Sequence, residues 1–261
     1  VINLQATIIR TIQLTSTIAQ LLLQVPASYP TPLPGQFVRI ACNDPLPRPF
    51  GVSWYDSHES TPQLAIVVEN RGPGTKWLLD RPSYTRLEIS TPLGRGFALN
   101  VAKSRFLIVG GGVGVAPLLS IFSSFRRDYV ISADALLGFK TSSQRILQNQ
   151  FIRETTKTII ATDDGNYGMH ARADELLRSH LATYTGDPYV QILTCGPRPM
   201  LKAVAEIAKE HNIPCQVLLE EYMACGVGAC GGCPITLTSG ERVPICTSGP
   251  MFYGEEVDWN V

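Results

Sequence analysis

The chain lacks any apolar run of the ~18 to 20 residues that crossing a bilayer requires. It also lacks an excess of charge, since lysine plus arginine and aspartate plus glutamate each total 22 in 261 residues. The first absence excludes a membrane-spanning helix in this sequence, and the second removes the basic surface that binds nucleic acid or anionic lipid. Histidine is scarce: His58, His170, His180 and His211 are the only four. No internal repeat, low-complexity tract or signal-like N-terminus is found, and a small secreted disulfide scaffold does not suit a chain of this length with seven cysteines. A soluble, cytoplasmic protein is the expectation. The G-x-G-x-x-G fingerprint of ordinary dinucleotide sites is missing as well, because Pro117 stands where its third glycine would fall, counted from Gly112.

What is present divides the chain. Apolar residues make up 44%, enough for more than one core. Up to about residue 100 the pattern is of short β-branched strands with turns between them, at 6–12, 19–25, 36–42, 51–55, 64–69 and 86–90, which predicts an antiparallel β-barrel. From 101 to 214 strands at 105–109, 134–139, 157–162 and 190–194 alternate with helices at 116–125, 171–184 and 199–210, the rhythm of a parallel sheet covered by helices. Residues 215–261 form a third, small segment. The expected fold is therefore multi-domain, α/β plus all-β.

That last segment carries Cys225-x4-Cys230-x2-Cys233-x12-Cys246, the spacing of a plant-type two-iron, two-sulfur ligand set. Gly226, Val227, Gly228, Ala229, Gly231 and Gly232 lie between the first three cysteines and leave the backbone free to wrap a cluster. Strands 235–238 and 243–245 about the turn at Ser239–Arg242 predict Thr238 opposite Val243 and Ile235 opposite Cys246, which would return Cys246 beside Cys233. A structural zinc site is the competing reading, though zinc usually takes separated Cys or Cys/His pairs and no histidine lies here.

Two other strand ends stand out. Gly110-Gly111-Gly112-Val113-Gly114 joins a buried strand to a helix, as a backbone must to approach a pyrophosphate, though packing alone also explains such a turn. Cys195-Gly196-Pro197 follows another strand; it reads as a ligand-site element or as a buried small residue. Asp163–Gly168 is a third such loop, or an ordinary solvated turn, and Lys140 and Arg145 stand where a cation would meet a 2′-phosphate. In the first half, Arg48–Ser53 sets a cation beside a strand, and Gly72-Pro73-Gly74-Thr75 suits a phosphate or a plain turn.

Together these motifs resemble the ferredoxin-NADP reductase superfamily, which joins an FAD-binding barrel to a nicotinamide domain marked by GGxGxxP and CGP. More narrowly, the chain is similar to the electron-transfer subunits of two-subunit, NAD-dependent dihydroorotate dehydrogenase. The similarity rests on Pro34–Phe37, Arg48-Pro49, Gly74–Leu78, Pro92–Phe97, Thr162–Gly165, Cys195–Met200 and above all Glu220–Cys230. The resemblance implies an oxidoreductase of pyrimidine biosynthesis that uses NAD(H), FAD and a 2Fe-2S cluster. Its implied partner is an FMN-containing dihydroorotate dehydrogenase catalytic subunit, in a heterotetramer of two plus two. Flavin contacts are implied for Arg48, Pro49, Phe50, Gly51, Val52 and Ser53, and pyrophosphate contacts for Gly72, Gly74 and Thr75. Gly111, Gly112 and Gly114 would serve the nicotinamide dinucleotide, Cys195 and Gly196 the hydride-transfer site, and Cys225, Cys230, Cys233 and Cys246 the cluster. Two departures are visible: Gly51 replaces the family's serine, leaving Ser53 as the nearby hydroxyl, and Thr91 replaces a glycine before Pro-Leu-Gly. Related modules also serve hydrogenases, sulfide dehydrogenases and electron-bifurcating transhydrogenases.

Overall fold

The computed structural model describes residues 2–57, 61–99, 105–125 and 132–260. His58 and the boundary expected between 100 and 101 lie outside the described residues. Strands β1 (Asn3–Gln13), β2 (Ile18–Gln24), β3 (Phe37–Ile40), β4 (Arg48–Asp56), β5 (Gln63–Glu69) and β6 (Arg86–Ser90) close into an antiparallel barrel in the order β1-β2-β5-β4-β3-β6, with helix α1 (Pro73–Leu79) between β5 and β6. Strand alternation turns Leu21, Leu23, Val38, Ile40, Leu64 and Ile66 inward, where they are fully buried. Each such aliphatic side chain contributes about 1.5–3 kcal/mol by leaving water. The same alternation sends Phe37 and Arg39 of β3, and Pro49 and Gly51 of β4, to the outer face. A bulge between Val52 and Trp54 breaks the register with β5.

The second half supplies β7 (Arg105–Gly111), helices α2 (Val115–Leu118) and α3 (Ser120–Phe125), β8 (Ser132–Phe139), α4 (Gln148–Glu154), β9 (Lys157–Thr162), β10 (Met169–His170), α5 (Ala173–Thr183), β11 (Gln191–Cys195), α6 (Arg198–Glu210) and β12 (Cys215–Leu218). Then follow β13 (Pro234–Thr236), β14 (Arg242–Pro244), α7 (Ile245–Ser248) and β15 (Met251–Tyr253). The sheet order is β10-β9-β8-β7-β11-β12-β15, parallel except for β15. Strand β7 is buried on both faces, as helices on either side require. After β7 the chain builds outward through β8 and β9, then crosses to β11 on the other side. The carboxyl ends of β7 and β11 therefore flank a topological switch point, where open α/β sheets bind ligands. The terminal segment is not separate from this sheet, since β12 and β15 form its last two strands.

Helix α4 was not expected from the sequence. Its seven residues bury one apolar side chain, too few to show a helical period; Phe151 packs edge-on against Phe122 with ring centroids 6.4 Å apart and so holds the helix in place.

The hairpin register corrects the expected one. Ile235 pairs with Val243 and Pro234 with Pro244, three residues out of step with the count that set Ile235 opposite Cys246. The loop is tighter than expected: Leu237 N–H donates to Glu241 O at 2.8 Å, and Thr238 N–H is drawn away to Glu256 O. Ile245 and Cys246 then enter α7 instead of extending the strand, and Ile245 N–H bonds to Cys233 O at 2.8 Å. Cys246 still reaches Cys233, by a helical turn and not a ladder.

At the amino ends of β7 and β8, away from the switch point, Arg105 Nη2 donates to both carboxylate oxygens of Asp134, at 3.1 and 2.9 Å. Tyr189 Oη donates to Asp134 at 2.5 Å, and His180 Nε2 shares a 2.8 Å bond with Tyr189 Oη. Burial makes the imidazole of His180 harder to protonate than in the unfolded chain, with Asp134 opposing in part. The unfolded chain gains this proton near pH ~6.5, the folded chain only at lower pH, so stability present above ~6.5 is lost as pH falls through the folded value. We expect the urea midpoint of the holoprotein to fall between pH 7 and pH 5, and His180→Gln to flatten part of that fall. Identical pH profiles for the two proteins would remove His180 as the cause.

Candidate functional site

A cleft of about 590 Å³ opens between the outer face of the barrel and the switch point of the sheet, a volume typical of small-molecule sites. From the barrel come Phe37, Arg48–Gly51, Glu69 and Arg71–Thr75; from the α/β half come Val113, Ala116, Pro117, Cys195 and Leu218. Residues Leu219–Met223 run along it toward the cysteine loop.

Local chemistry places each wall. Arg48 is held by an ion pair with Asp44, one helical turn's spacing away in sequence. An ideal Cβ on Gly74 would come within 3.2 Å of Arg48 Nε and 3.4 Å of Asp44 Oδ2, so the bare backbone leaves room for that pair. Thr75 Oγ1 accepts from Arg71 N–H at 2.9 Å and Gly72 N–H at 3.1 Å, which closes the loop on itself at the start of α1. Gly51 faces α2: a Cβ there would stand 3.0 Å from Pro117 Cβ, tighter than ordinary contact. Its departure from serine therefore matches the close seating of the barrel on the helix.

On the opposite wall, Cys195 pairs with Gly110 across the sheet, and the backbone after it meets the glycine turn. A Cβ on Gly114 would lie 2.7 Å from Cys195 C and O and from Gly196 Cα, with backbone on every side. Gly111 packs on Pro197 and Met200. Cys195 is 2% exposed, and burial followed by the charge of Glu220 pushes its thiol far above the ordinary range. It is a neutral thiol, unsuited to nucleophilic work. Glu220 stands at the edge of the cleft, where the surrounding walls raise its carboxyl while Arg71 pulls it down.

The four cysteines of the terminal segment meet two by two. Cys233 and Cys246 pack together in a small core with Phe37 and Leu93, and Cys225 interacts electrostatically with Cys230. Among the described residues no three His, Cys, Asp or Glu side chains close on one ion-sized point. A pairwise set of four thiols fits a two-iron cluster, with two sulfurs for each iron, better than it fits one tetrahedral zinc. Backbone N–H groups already aim at sulfur: Gly228 donates to Cys246 Sγ at 3.1 Å, Gly232 to Cys230 at 3.4 Å and Val227 to Cys225 at 3.5 Å. The Val227 bond, then Cys230, brings the Cys225 thiol down to about 6. Burial, then Cys233, pushes Cys246 up to about 11. The Cys225 thiol is primed to ionise, whereas Cys246 must lose its proton to metal.

Comparison with known proteins decides the family. A family model described as the iron-sulfur cluster binding domain of dihydroorotate dehydrogenase B matches residues 220–258. The dihydroorotate dehydrogenase B (NAD(+)) electron transfer subunit of Caldanaerobacter subterraneus subsp. tengcongensis is 37% identical over 231 residues, covering 87% of each chain. The chain belongs to this family of electron transfer subunits. The counterpart from Desulforamulus reducens is 32% identical over 235 residues, again 87% of each chain. Among solved structures, an NADH-dependent reduced ferredoxin-NADP oxidoreductase described for flavin-based electron bifurcation matches with TM-score 0.85 and 26% identity, over 97% of this chain and 90% of that one. A ferredoxin reductase of carbazole 1,9a-dioxygenase shares the fold, with TM-score 0.66 and 19% identity over 82% of this chain and 67% of the other.

In this electron transfer subunit Arg48, Pro49, Phe50, Gly51, Gly72, Gly74, Thr75 and Cys195 all line the one cleft. Gly111, Gly114 and Gly196 gather behind Cys195, and Gly112 faces open space. Val52 and Ser53 do not reach the cleft: Val52 lies in the barrel core, and the bulge turns Ser53 Oγ onto Ala65 O at 2.9 Å. Arg145 is engaged by Ser142 O and Gln148 Oε1, each at 2.8 Å, and lies 3.4 Å over the ring of Tyr167. Residues that sequence reasoning left without a role include Phe37, Glu69, Arg71 and Glu220–Met223. Their signal was present in Pro34–Phe37 and Glu220–Met223, but only the folded chain brings both runs to the one cleft.

Proposed function

We propose that the chain carries electrons between NAD(H) and an FMN-containing dihydroorotate dehydrogenase catalytic subunit, in a heterotetramer of two plus two that serves pyrimidine biosynthesis. The observation that carries this reading is the continuity of the cleft with the cysteine loop through Glu220–Met223. FAD bound in the cleft supplies hydride acceptance from NADH and its splitting into single electrons, and a 2Fe-2S cluster on Cys225, Cys230, Cys233 and Cys246 relays them. Arg48 and the turn Gly72–Thr75 hold the flavin dinucleotide by charge and backbone. Gly111, Gly112 and Gly114 bring the sheet's switch point close to the nicotinamide dinucleotide. Cys195, a neutral thiol, shapes the hydride-transfer site without ionising. By task the chain divides at 1–100, 101–214 and 215–261, with β12 and β15 shared by the last two parts. Seven cysteines without a disulfide and a thiolate-held cluster support a reducing cytoplasm as its compartment; among the described residues no helix is long and apolar enough to cross a membrane.

Anaerobic absorbance titration tests the reading. NADH should bleach flavin absorption and then cluster absorption, and added catalytic subunit with dihydroorotate should do the same from the other end. Purified protein with stoichiometric zinc and no flavin would overturn it in favour of a structural adaptor. The match to the bifurcating oxidoreductase supports a second reading, the same module in another redox complex. Co-purification with an FMN-binding barrel subunit separates the two, and four intact cysteines favour the first.

A further inference from the structure

Arg39 leaves the outer face of β3 and reaches 185 and 186 residues along the chain, where Nη2 donates to Ala224 O at 2.7 Å and Nη1 donates to Cys225 O. Among the described residues these are the only side-chain hydrogen bonds from the barrel to the loop 224–233. The root of the side chain is fixed too, since Arg39 N–H donates at 2.9 Å to Ser90 Oγ, itself buried. The loop is shaped around the guanidinium. Gly226 has φ +66°, and an ideal Cβ there would run into Arg39 Cδ and lie 2.9 Å from Nη1 and 3.0 Å from Nε. Glycine is thus needed at 226 both for its left-handed backbone and for the space that Arg39 fills.

A purely mechanical tie would not need this residue. Arg39 Nε is buried with no hydrogen-bond partner, and an unmet buried donor on a half-buried side chain is costly to keep. An apolar side chain would join β3 to the loop more cheaply. What an arginine adds is a planar fork that spans two consecutive carbonyls, and a fixed positive charge beside the first cluster ligand. Cluster reduction adds an electron, so a fixed cation next to Cys225 favours the reduced form.

We propose that Arg39 is a positioning residue for electron transfer: its fork locks the cluster loop to the flavin-binding barrel, and its charge holds the cluster's reduction potential up. This rests on the flavin and cluster assignment above.

The experiment compares wild-type holoprotein with Arg39→Met and Arg39→Lys by iron and flavin content, EPR-monitored redox titration, and amide hydrogen exchange across residues 224–228. Arg39→Met should lower the cluster midpoint by at least about 59 mV, a tenfold change in the oxidised-to-reduced ratio at fixed potential. Exchange in the loop should rise, while bleaching of the flavin by NADH stays unchanged. Arg39→Lys keeps charge without the fork, so the midpoint should stay nearer wild type while exchange still rises. Loss of iron from Arg39→Met with flavin retained also supports the tie. If Arg39→Met loses both groups, Arg39→Lys decides, and wild-type exchange and EPR in that variant would overturn the proposal. Full iron content, an unmoved midpoint and unmoved exchange in Arg39→Met would overturn it as well. Wild-type protein without flavin or cluster would instead defeat the functional reading on which it rests.

Discussion

Cys230→Ser should leave NADH-dependent bleaching of the flavin within about twofold of wild type and cut transfer to the catalytic subunit by about 100-fold or more. Even the outer partners of metal ligands cost 10–100-fold when removed, and Cys230 is itself one of four thiols in the set. The substitution is also gentle on the fold. Cys230 is exposed, has glycine on its C-terminal side, and is absent from every apolar core. Serine keeps its size and removes only the soft thiolate. Stopped-flow absorbance at flavin and cluster wavelengths, with iron analysis, separates the two half-reactions. Equal loss in both would mean that the cysteine loop is part of the flavin site and not a station beyond it.

The complementary lesion lies at the other end of the electron path. Gly114→Ala should slow NADH reduction of the flavin by about 100-fold while the cluster and its chemical reduction by dithionite remain intact. Its added Cβ meets Cys195 C and O and Gly196 Cα at 2.7 Å, and none of these is a flexible side-chain end that can swing away. The strand ends β7 and β11 must therefore part by some tenths of an ångström or more, and a misplacement of about 1 Å at a reacting centre costs about 100-fold. The defect should appear in the rate of hydride transfer at saturating NADH as well as in NADH affinity. A wild-type rate would show that the turn bends freely and that its tight contact with Cys195 has no bearing on nicotinamide placement. Gly112→Ala makes a control of a different kind. Open space surrounds that position, and only its backbone, at φ +54°, opposes the change.

Six strands of the barrel and the strand-helix alternation of the second half were legible in the sequence because alternation and helical period are local signals. An iron-sulfur binding segment was legible for a related reason. Three of the four cysteines lie in one loop of nine residues, so their spacing states the chemistry without help from the fold. The hairpin register was not. Counting residues about Ser239–Arg242 assumed a symmetric turn, whereas Thr238 leaves the ladder to pair with Glu256, a partner that only the folded terminus supplies. Helix α4 was hidden because its one buried residue, Phe151, is held by Phe122 from a distant helix.

Ser53 shows the limit at the site itself. As the hydroxyl nearest the altered motif it was the natural substitute for the family's serine, and a one-residue bulge turns it onto Ala65 instead. The sequence alone determined where the thiols, the glycine turns and the strand ends lie, because residue type and short spacing are written in the chain. Only the tertiary structure decided which of them share a cleft, that Cys195 stays a neutral thiol, and that Arg39 reaches Cys225. Those depend on barrel closure, burial and contacts across nearly two hundred residues, and no local pattern encodes them.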